Sequence, residues 1–438
     1  MSDILDSQRI DVAYYKDRFW GNDFVPLSRY VDIKGGKRIP KGKSFSFEKT
    51  NYLYLRLSDI VDFDNIDYSA LKNISAELFD TLKRYEICNN QIAFSIAGTI
   101  GRVFVVKNIP EGKHVILTEN CAKLLPKNDN VLPDYISILL NCDFVQTQIE
   151  QNRIQTTIPK IGLDRIAKLK VPKLPSVNEQ QEIVKQYQEA QKTKHQKECE
   201  AIQLLKGIDD FLLKFLQIDR KVSKTNGWPL VQKLSSIMGG RFDPQQFHLE
   251  RIKMIEQLQK WNWCRLKDVV TYVKATISSI SNGDIYIGLE NIEGETGEYI
   301  PSNKRSSISS AAQFKDGDIL FPKLRPYLNK VYRAQFSGCC STEFHVFEAH
   351  DIHPDFLTEV LRSSMILDQT KHLMTGNTLP RLQITDIDNL IIPYPNIEIQ
   401  NEIVDYVAKV KSKAKRLQVE SISQLEDVKQ KIEKLIIE

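Results

Sequence analysis

The chain holds no apolar run near the roughly 20 residues that a membrane-spanning helix requires, so the sequence offers no helical span. Its start, MSDILDSQRIDVAYYKDRFW, has acids where a secretory signal carries basic residues, and no apolar stretch follows. A cytoplasmic location is the expectation. No CxxC occurs, and the seven cysteines (Cys88, Cys121, Cys142, Cys199, Cys264, Cys339, Cys340) are odd in number. Zinc sites want paired ligands at short spacing, and neighbours on a strand such as Cys339 and Cys340 point to opposite faces. Buried free thiols are expected. An excess of one charge is also missing: 60 Lys and Arg face 56 Asp and Glu, a net charge of +4 over 438 residues. A near-neutral total does not exclude local basic patches. With 42% hydrophobic and 26% charged residues, the composition excludes collagen-like, mucin-like and wholly disordered chains.

Catalytic signatures are absent as well. The sequence has no (Asn/Asp)-Pro-Pro-aromatic turn and no glycine-rich loop for a methyl donor. Pro393-Tyr394-Pro395-Asn396 only rearranges that turn and reads as a strand-to-helix connection. Gly36-Lys37-Arg38-Ile39-Pro40-Lys41-Gly42-Lys43-Ser44 falls short of a P-loop, with five residues between its glycines instead of four and a proline in the cradle. A basic loop touching phosphate groups suits it better. Pro354-Asp355 with Gln369-Thr370-Lys371 loosely resembles a nuclease carboxylate motif, but Asp355 fits the first turn of a helix, where an acid favours the macrodipole. Seven histidines form neither HxxxH nor HExxH, and Asp316-Gly317-Asp318 suits a β-turn. No metal site and no catalytic residue are expected.

What is present is a repeat. Thr157-Ile158-Pro159-Lys160, Val171-Pro172 and Glu179-Gln180-Gln181-Glu182-Ile183-Val184 return as Thr378-Leu379-Pro380-Arg381, Ile392-Pro393 and Ile399-Gln400-Asn401-Glu402-Ile403-Val404. Upstream, Arg9-Ile10-Asp11 echoes Arg241-Phe242-Asp243, Ile92-Ala93-Phe94 echoes Ile319-Leu320-Phe321, and Thr118-Glu119 echoes Thr342-Glu343. Short runs rich in Val, Ile, Phe and Tyr between turn signals make each module mixed α/β. Helices are expected near 133–149 and 354–371, each opening on a proline.

Each module then runs into a long polar helix. Ile183, Tyr187, Ala190, Lys194, Lys197, Ala201, Leu204, Ile208, Phe211 and Phe215 keep the 4-3 spacing of a heptad seam. The second helix offers Ile403, Val407, Val410, Ala414 and Leu417, then after a step of eight Leu425, Val428, Ile432 and Leu435. That step is a stutter. Two duplicates about an internal pseudo-two-fold axis would pair antiparallel; the alternative is that each helix packs on its own module. The expected organisation is a globular module over 1–175, a helix over 176–217, a connector over 218–240, a second module over 241–396 and a second helix over 397–438. The fold class is α/β (mixed α+β), two modules joined by two long antiparallel coiled-coil helices.

Basic, polar and aromatic residues recur on loops at equivalent places in both copies. In the first they are Lys37, Arg38, Lys41 and Lys43, then Ser95, Thr99 and Arg102, then Arg153, Gln155 and Lys160. In the second they are Lys274, Lys304 and Arg305, then Lys323, Arg325, Tyr327, Asn329 and Lys330, then Asn377, Thr378 and Arg381. Lys and Arg hold phosphates, while Arg, Asn and Gln also read base edges. Double-stranded DNA is the partner these residues suit.

The two module starts, the run Gly317-Asp318-Ile319-Leu320-Phe321-Pro322-Lys323-Leu324-Arg325-Pro326-Tyr327-Leu328-Asn329-Lys330 and the two Pro…Gln…Glu-Ile-Val helix starts resemble the specificity (S) subunit of type I restriction–modification systems. The resemblance covers nearly the whole chain; the first module departs from it over Ile92–Arg102. It implies that each module is a target recognition domain reading half of a bipartite asymmetric DNA site. It also implies that the helices set the spacer and dock two methyltransferase subunits. Chemistry would belong to partners: modification subunits with S-adenosylmethionine, and restriction subunits with ATP and magnesium. A specificity subunit of a related system with a different nuclease, or a coiled-coil interaction scaffold, are the alternatives.

Overall fold

The computed structural model describes residues 24–62, 65–154, 159–220, 244–278, 285–301, 310–376 and 379–437. The module starts at Arg9 and Arg241 lie outside them, as does nearly all of the connector. Among the described residues, no helix is long and apolar enough to cross a membrane.

The chain divides into two compact units, one reaching to Gln196 and resuming at Glu420, the other spanning Lys197–Val419. In the first, strands Val31–Gly35, Cys121–Pro126, Ile92–Ser95 and Val103–Val105 form an antiparallel sheet in that order. A second sheet runs Lys72–Asn73, Tyr52–Leu55, His114–Leu117, Glu86–Ile87, with its central pair parallel. Phe24–Pro26 pairs with Lys170–Pro172. Ile92–Ser95 is buried at every position, the pattern of a strand covered on both faces rather than an alternating one. Helices α1 (Ala76–Leu82), α2 (Pro133–Leu140), α3 (Asp143–Asn152) and α4 (Leu163–Ala167) complete the module, and α5 (Val177–Phe215) leaves it.

The second unit repeats this plan. Val270–Tyr272, Phe344–Ala349, Ile319–Pro322 and Tyr332–Arg333 form the antiparallel sheet. Thr276–Ile277, Ala311–Phe314, Gly338–Cys340 and Tyr286–Ile287 form the other, again with one parallel pair. Trp263–Arg265 pairs with Ile391–Pro393. Its helices are α6 (Leu249–Leu258), α7 (Pro354–Arg362), α8 (Ser364–Thr370), α9 (Ile384–Asp388) and α10 (Ile397–Ile437).

The duplication extends to single hydrogen bonds. Gln148 donates to the Lys170 carbonyl at 2.9 Å and accepts from the Lys170 amide at 2.8 Å. Gln369, 221 residues later, does the same with Ile391 at 3.0 and 2.9 Å. Gln180 accepts from the Leu132 amide and donates to the Pro175 carbonyl; Gln400 accepts from His353 and donates to Pro395. Each glutamine carries both a donor and an acceptor, so one buried side chain satisfies two opposite backbone groups.

Each expected single helix near 133–149 and 354–371 is broken in two. At the breaks Cys142 and Ser363 are extended. The reason is distant. Glu433 of α10 accepts from the amides of Asp143 and Phe144 at the start of α3, at 3.2 and 2.9 Å. Asp209 of α5 accepts from the Ser364 amide at 2.8 Å. A carboxylate there satisfies amides that a helix start leaves open and complements its dipole.

Both expectations for the long helices hold at once. In the first unit Ile183 of α5 shares the module core with Ile432 and Ile436 of α10, with Tyr187 and Val428 packed against it. In the second, Ile208 and Leu212 of α5, with Leu216 just beyond its end, meet Ile403 and Val407 of α10 inside that module's core. Ala201, Leu204, Ala414 and Leu417 pack together, and Phe211 stacks on Tyr406 at 3.8 Å. Within each unit the pairing is antiparallel. The compact units divide the helices midway, at 196/197 and 419/420. Every named seam residue, including Val410 and Leu425, is buried or half-buried. Leu435 is the exception, 58% exposed, while Ile436 is buried. Ser421 fills the step of eight. Buried or half-buried positions 414, 417, 421, 425, 428, 432 and 436 then repeat every eleven residues, and that period carries the seam to Ile436.

Four cysteines are buried, but Cys199 and Cys264 are half-buried and Cys88 is exposed. Cys339 and Cys340 are both buried because both faces of their strand are covered.

Replacing Gln369 by Leu strands the amide and carbonyl of Ile391 without a partner, and is expected to cost roughly 2–5 kcal/mol. Urea denaturation of the purified chain measures it; a loss below about 1 kcal/mol would contradict the buried pairing.

Candidate nucleic-acid interface

In the first module four separate segments meet at one edge. Gly36 donates to the Cys121 carbonyl and Lys37 to that of Leu117, so the basic loop departs across the turn at 117–121. A Cβ on Gly36 would lie 2.0 Å from the Thr118 oxygen, so only glycine lets the chain pass there. Ile96 donates to Asn120, joining the 95–102 turn to the same place. Lys160 bridges both Ile154 and Ala97, bringing a fourth segment to the same edge. The second module repeats the joint: Arg381 bridges Thr375 and Leu324, Lys323 donates to Glu343, and Arg325 to Pro380.

A carboxylate sits at the centre of each edge. Glu119 accepts from Arg38 at 2.6 Å and from the Tyr54 hydroxyl at 3.2 Å. Burial works against its ionisation, but Arg38, Thr118 and Tyr54 outweigh it and hold its pKa below the ordinary value. Burial pushes the Tyr54 phenol up to about 12, so it stays a donor. The equivalent Glu343 takes a forked pair from Arg381 at 2.6 and 3.2 Å. Both arginines are thus oriented by an acid while their outer faces remain open to a partner.

The nominated residues divide into two groups. Lys37, Arg38, Lys41, Lys43, Thr99, Lys160, Lys274, Arg325, Tyr327 and Arg381 are exposed. Arg102 and Arg153 are half-buried, Arg153 pairing with Glu150. Four others are structural, contrary to the sequence reading. Ser95 is fully buried and closes its own turn, donating to Thr99 and accepting from Arg102. Asn329 is 3% exposed, and its amide donates to the Arg362 carbonyl at 2.6 Å. Its backbone lies in the left-handed region at φ 52°, which asparagine tolerates better than most residues. The Lys323 and Lys330 ammoniums donate to the carbonyls of Thr342 and Leu289, and burial lowers the pKa of Lys323. Gln155, Lys304, Arg305, Asn377 and Thr378 lie outside the described residues. Asp355 occupies the first turn of α7 as expected, and Gln369 is committed to Ile391.

Sequence reasoning passed over exposed apolar residues on the same loops. Phe47 is fully exposed beside the basic run. Leu328 and Leu379 stand out with Tyr327, because the single turn Pro326–Leu328 is flanked by left-handed Arg325 and Asn329. An apolar side chain inside a polar stretch, as in Lys43-Ser44-Phe45-Ser46-Phe47-Glu48-Lys49, was the available signal.

Two outcomes follow for variants. Asn329→Ala lowers the thermal midpoint of the purified chain by several degrees, as the loss of a buried amide with a special backbone geometry demands, whereas Arg325→Ala leaves it unchanged. Equal melting of both would refute the division into structural and exposed residues. Second, His345 lies between Tyr272 and Phe347, and burial with nearby Lys323 lowers its pKa to about 4. The unfolded chain therefore binds the extra proton between about pH 6.5 and 4. Stability falls as pH drops through that window, and His345→Phe should flatten the fall in pH-resolved denaturation.

A model of the type I restriction modification DNA specificity domain matches residues 21–203 and 259–427. The EcoDI type I restriction enzyme specificity subunit of Escherichia coli is 27% identical over 154 residues, 34% of this chain and 34% of that protein. Its EcoBI counterpart, also from Escherichia coli, is 30% identical over 135 residues, 31% of this chain and 27% of that protein. The matched stretch thus spans about a third of the length of these curated relatives. Among solved structures, a type I restriction–modification S subunit from M. genitalium is 14% identical with a TM-score of 0.42, covering 95% of this chain and 97% of that one. The HsdS subunit from Thermoanaerobacter tengcongensis is 15% identical with a TM-score of 0.37, covering 96% and 97%. The family match takes in both modules and runs partway along both long helices, and on that ground the chain belongs to the type I restriction–modification DNA specificity family.

Proposed function

We propose that each module reads one half of a bipartite, asymmetric double-stranded DNA site, and that the chain itself is non-catalytic. The observation that carries this reading is the repeated edge. The same backbone bridges, at Lys160 and at Arg381, hold up different side chains in the two copies. The first edge presents Lys37, Arg38, Lys41 and Lys43; the second presents Lys274, Arg325, Tyr327 and Arg381. Two identical edges about a two-fold axis would meet a palindrome; unlike edges meet unlike half-sites. Methylation and cleavage fall to partner subunits: two methyltransferase subunits using S-adenosylmethionine, docked on the long helices, and restriction subunits using ATP and magnesium. The helices also set the spacer between the half-sites.

The assembled complex tests this through its methylation pattern. Arg325→Ala relaxes the second half-site and leaves the first intact; loss of both together would overturn the modular reading. Lys37→Ala weakens binding evenly across sequences and reduces the slope of log affinity against log salt by about 1. Deleting one heptad from α5 shortens it by about 10 Å, or roughly three base pairs of rise. An unchanged spacer after that deletion would defeat the ruler. Incubating the chain alone with DNA and labelled S-adenosylmethionine transfers no methyl group if it is non-catalytic.

A further inference from the structure

No HxxxH or HExxH pattern marks the histidines, yet folding gathers two of them with an acid. His248 precedes α6 as its N-cap, Glu250 lies in the first turn of that helix, and His372 follows α8. We propose that His248, Glu250 and His372 bind a divalent transition-metal ion of the zinc class. The Nε2 of His372 lies 3.0 Å, and the Nδ1 of His248 3.8 Å, from the same Glu250 oxygen. One ligand atom from each of the three residues falls within 4.8 Å of the others. A tetrahedral ion with bonds near 2.0–2.2 Å holds its ligand atoms about 3.4 Å apart, so shifts of about an ångström, with a rotation that turns the two ring nitrogens toward one point, would close the set.

The surroundings favour an ordered site over a solvated cluster. The three side chains are only 13%, 14% and 20% exposed. The two imidazoles stack with centroids 3.7 Å apart and planes 21° from parallel. Neutral rings tolerate that arrangement, whereas two imidazolium ions would repel. Neutral imidazole is the form that ligates metals. Lys371 competes, its ammonium 2.7 Å from the same carboxylate oxygen. It has a second acid at hand, Asp368 at 3.2 Å, so an arriving cation displaces it without leaving it unpaired. Two nitrogens and one carboxylate suit zinc, cobalt or nickel. They are too few oxygens for calcium or magnesium, and no thiolate selects copper(I). The fourth position falls to water. Gln151 stands 221 residues before His372, so the ion would belong to the second module alone, tying the start of α6 to the end of α8.

The test uses the purified full chain and zinc alone. After dialysis against micromolar zinc and then metal-free buffer, about one ion per chain should remain by elemental analysis, and the thermal midpoint should rise with zinc concentration. Cobalt(II) should give visible ligand-field bands without the near-ultraviolet thiolate charge-transfer band that a cysteine site would show. The double variant His248→Gln, His372→Gln should abolish retention. Should that variant fail to fold, Glu250→Gln is expected to weaken zinc at least about tenfold while keeping its circular dichroism. No retained zinc, retention unchanged in either variant, or a thiolate band would each overturn the assignment.

Discussion

The fold depends on one constraint: neither module has a complete core without both long helices. Ile183 is closed over by Ile432 and Ile436 in the first, and Ile403 by Ile208, Leu212 and Leu216 in the second. Full burial of such a side chain contributes about 1.5–3 kcal/mol, so each contact set rivals the net stability of a domain. The helices are consequently locked against sliding twice, by their mutual seam and by the modules. The carboxylates of Glu433 and Asp209 add a directional lock, since a shift by one residue would leave the amides of Phe144 and Ser364 open.

Within each module the edge separates support from presentation. Ser95, Asn329 and the repeated bridges at Lys160 and Arg381 hold loop geometry through backbone contacts. Lys37, Arg325 and Tyr327 project from it into solvent. Exposed side chains at fixed positions are free to change without endangering the core, which is what divergent recognition on a duplicated frame requires.

Much of this was legible in the sequence because it is periodic. The 221-residue return of Pro159 as Pro380, and the heptad spacing from Ile183 to Phe215, are patterns in one dimension. The eleven-residue drift of α10 was not, because Ser421 is polar and a count of apolar residues skips it. The breaks before α3 and α8 were hidden for another reason: the groups that make them, Glu433 and Asp209, come from elsewhere in the chain. Asn329 looked like a base reader because asparagine serves equally well in a left-handed turn, and composition does not distinguish these roles. His372 and Glu250 are 122 residues apart, beyond any local motif.

The reach of Glu433 back to Phe144 spans 289 residues, and order of synthesis gives that span a meaning. At about 5–20 residues per second, a ribosome takes on the order of 15–60 s after making Phe144 to reach Glu433. Through that interval the first-made module lacks Ile432, Ile436 and the cap on α3, and the second-made module receives its own last helix segment, which ends at Val419, before those residues are made. The later half thus receives its last helix segment before the earlier one does, and the nascent first module waits with part of its apolar face uncovered.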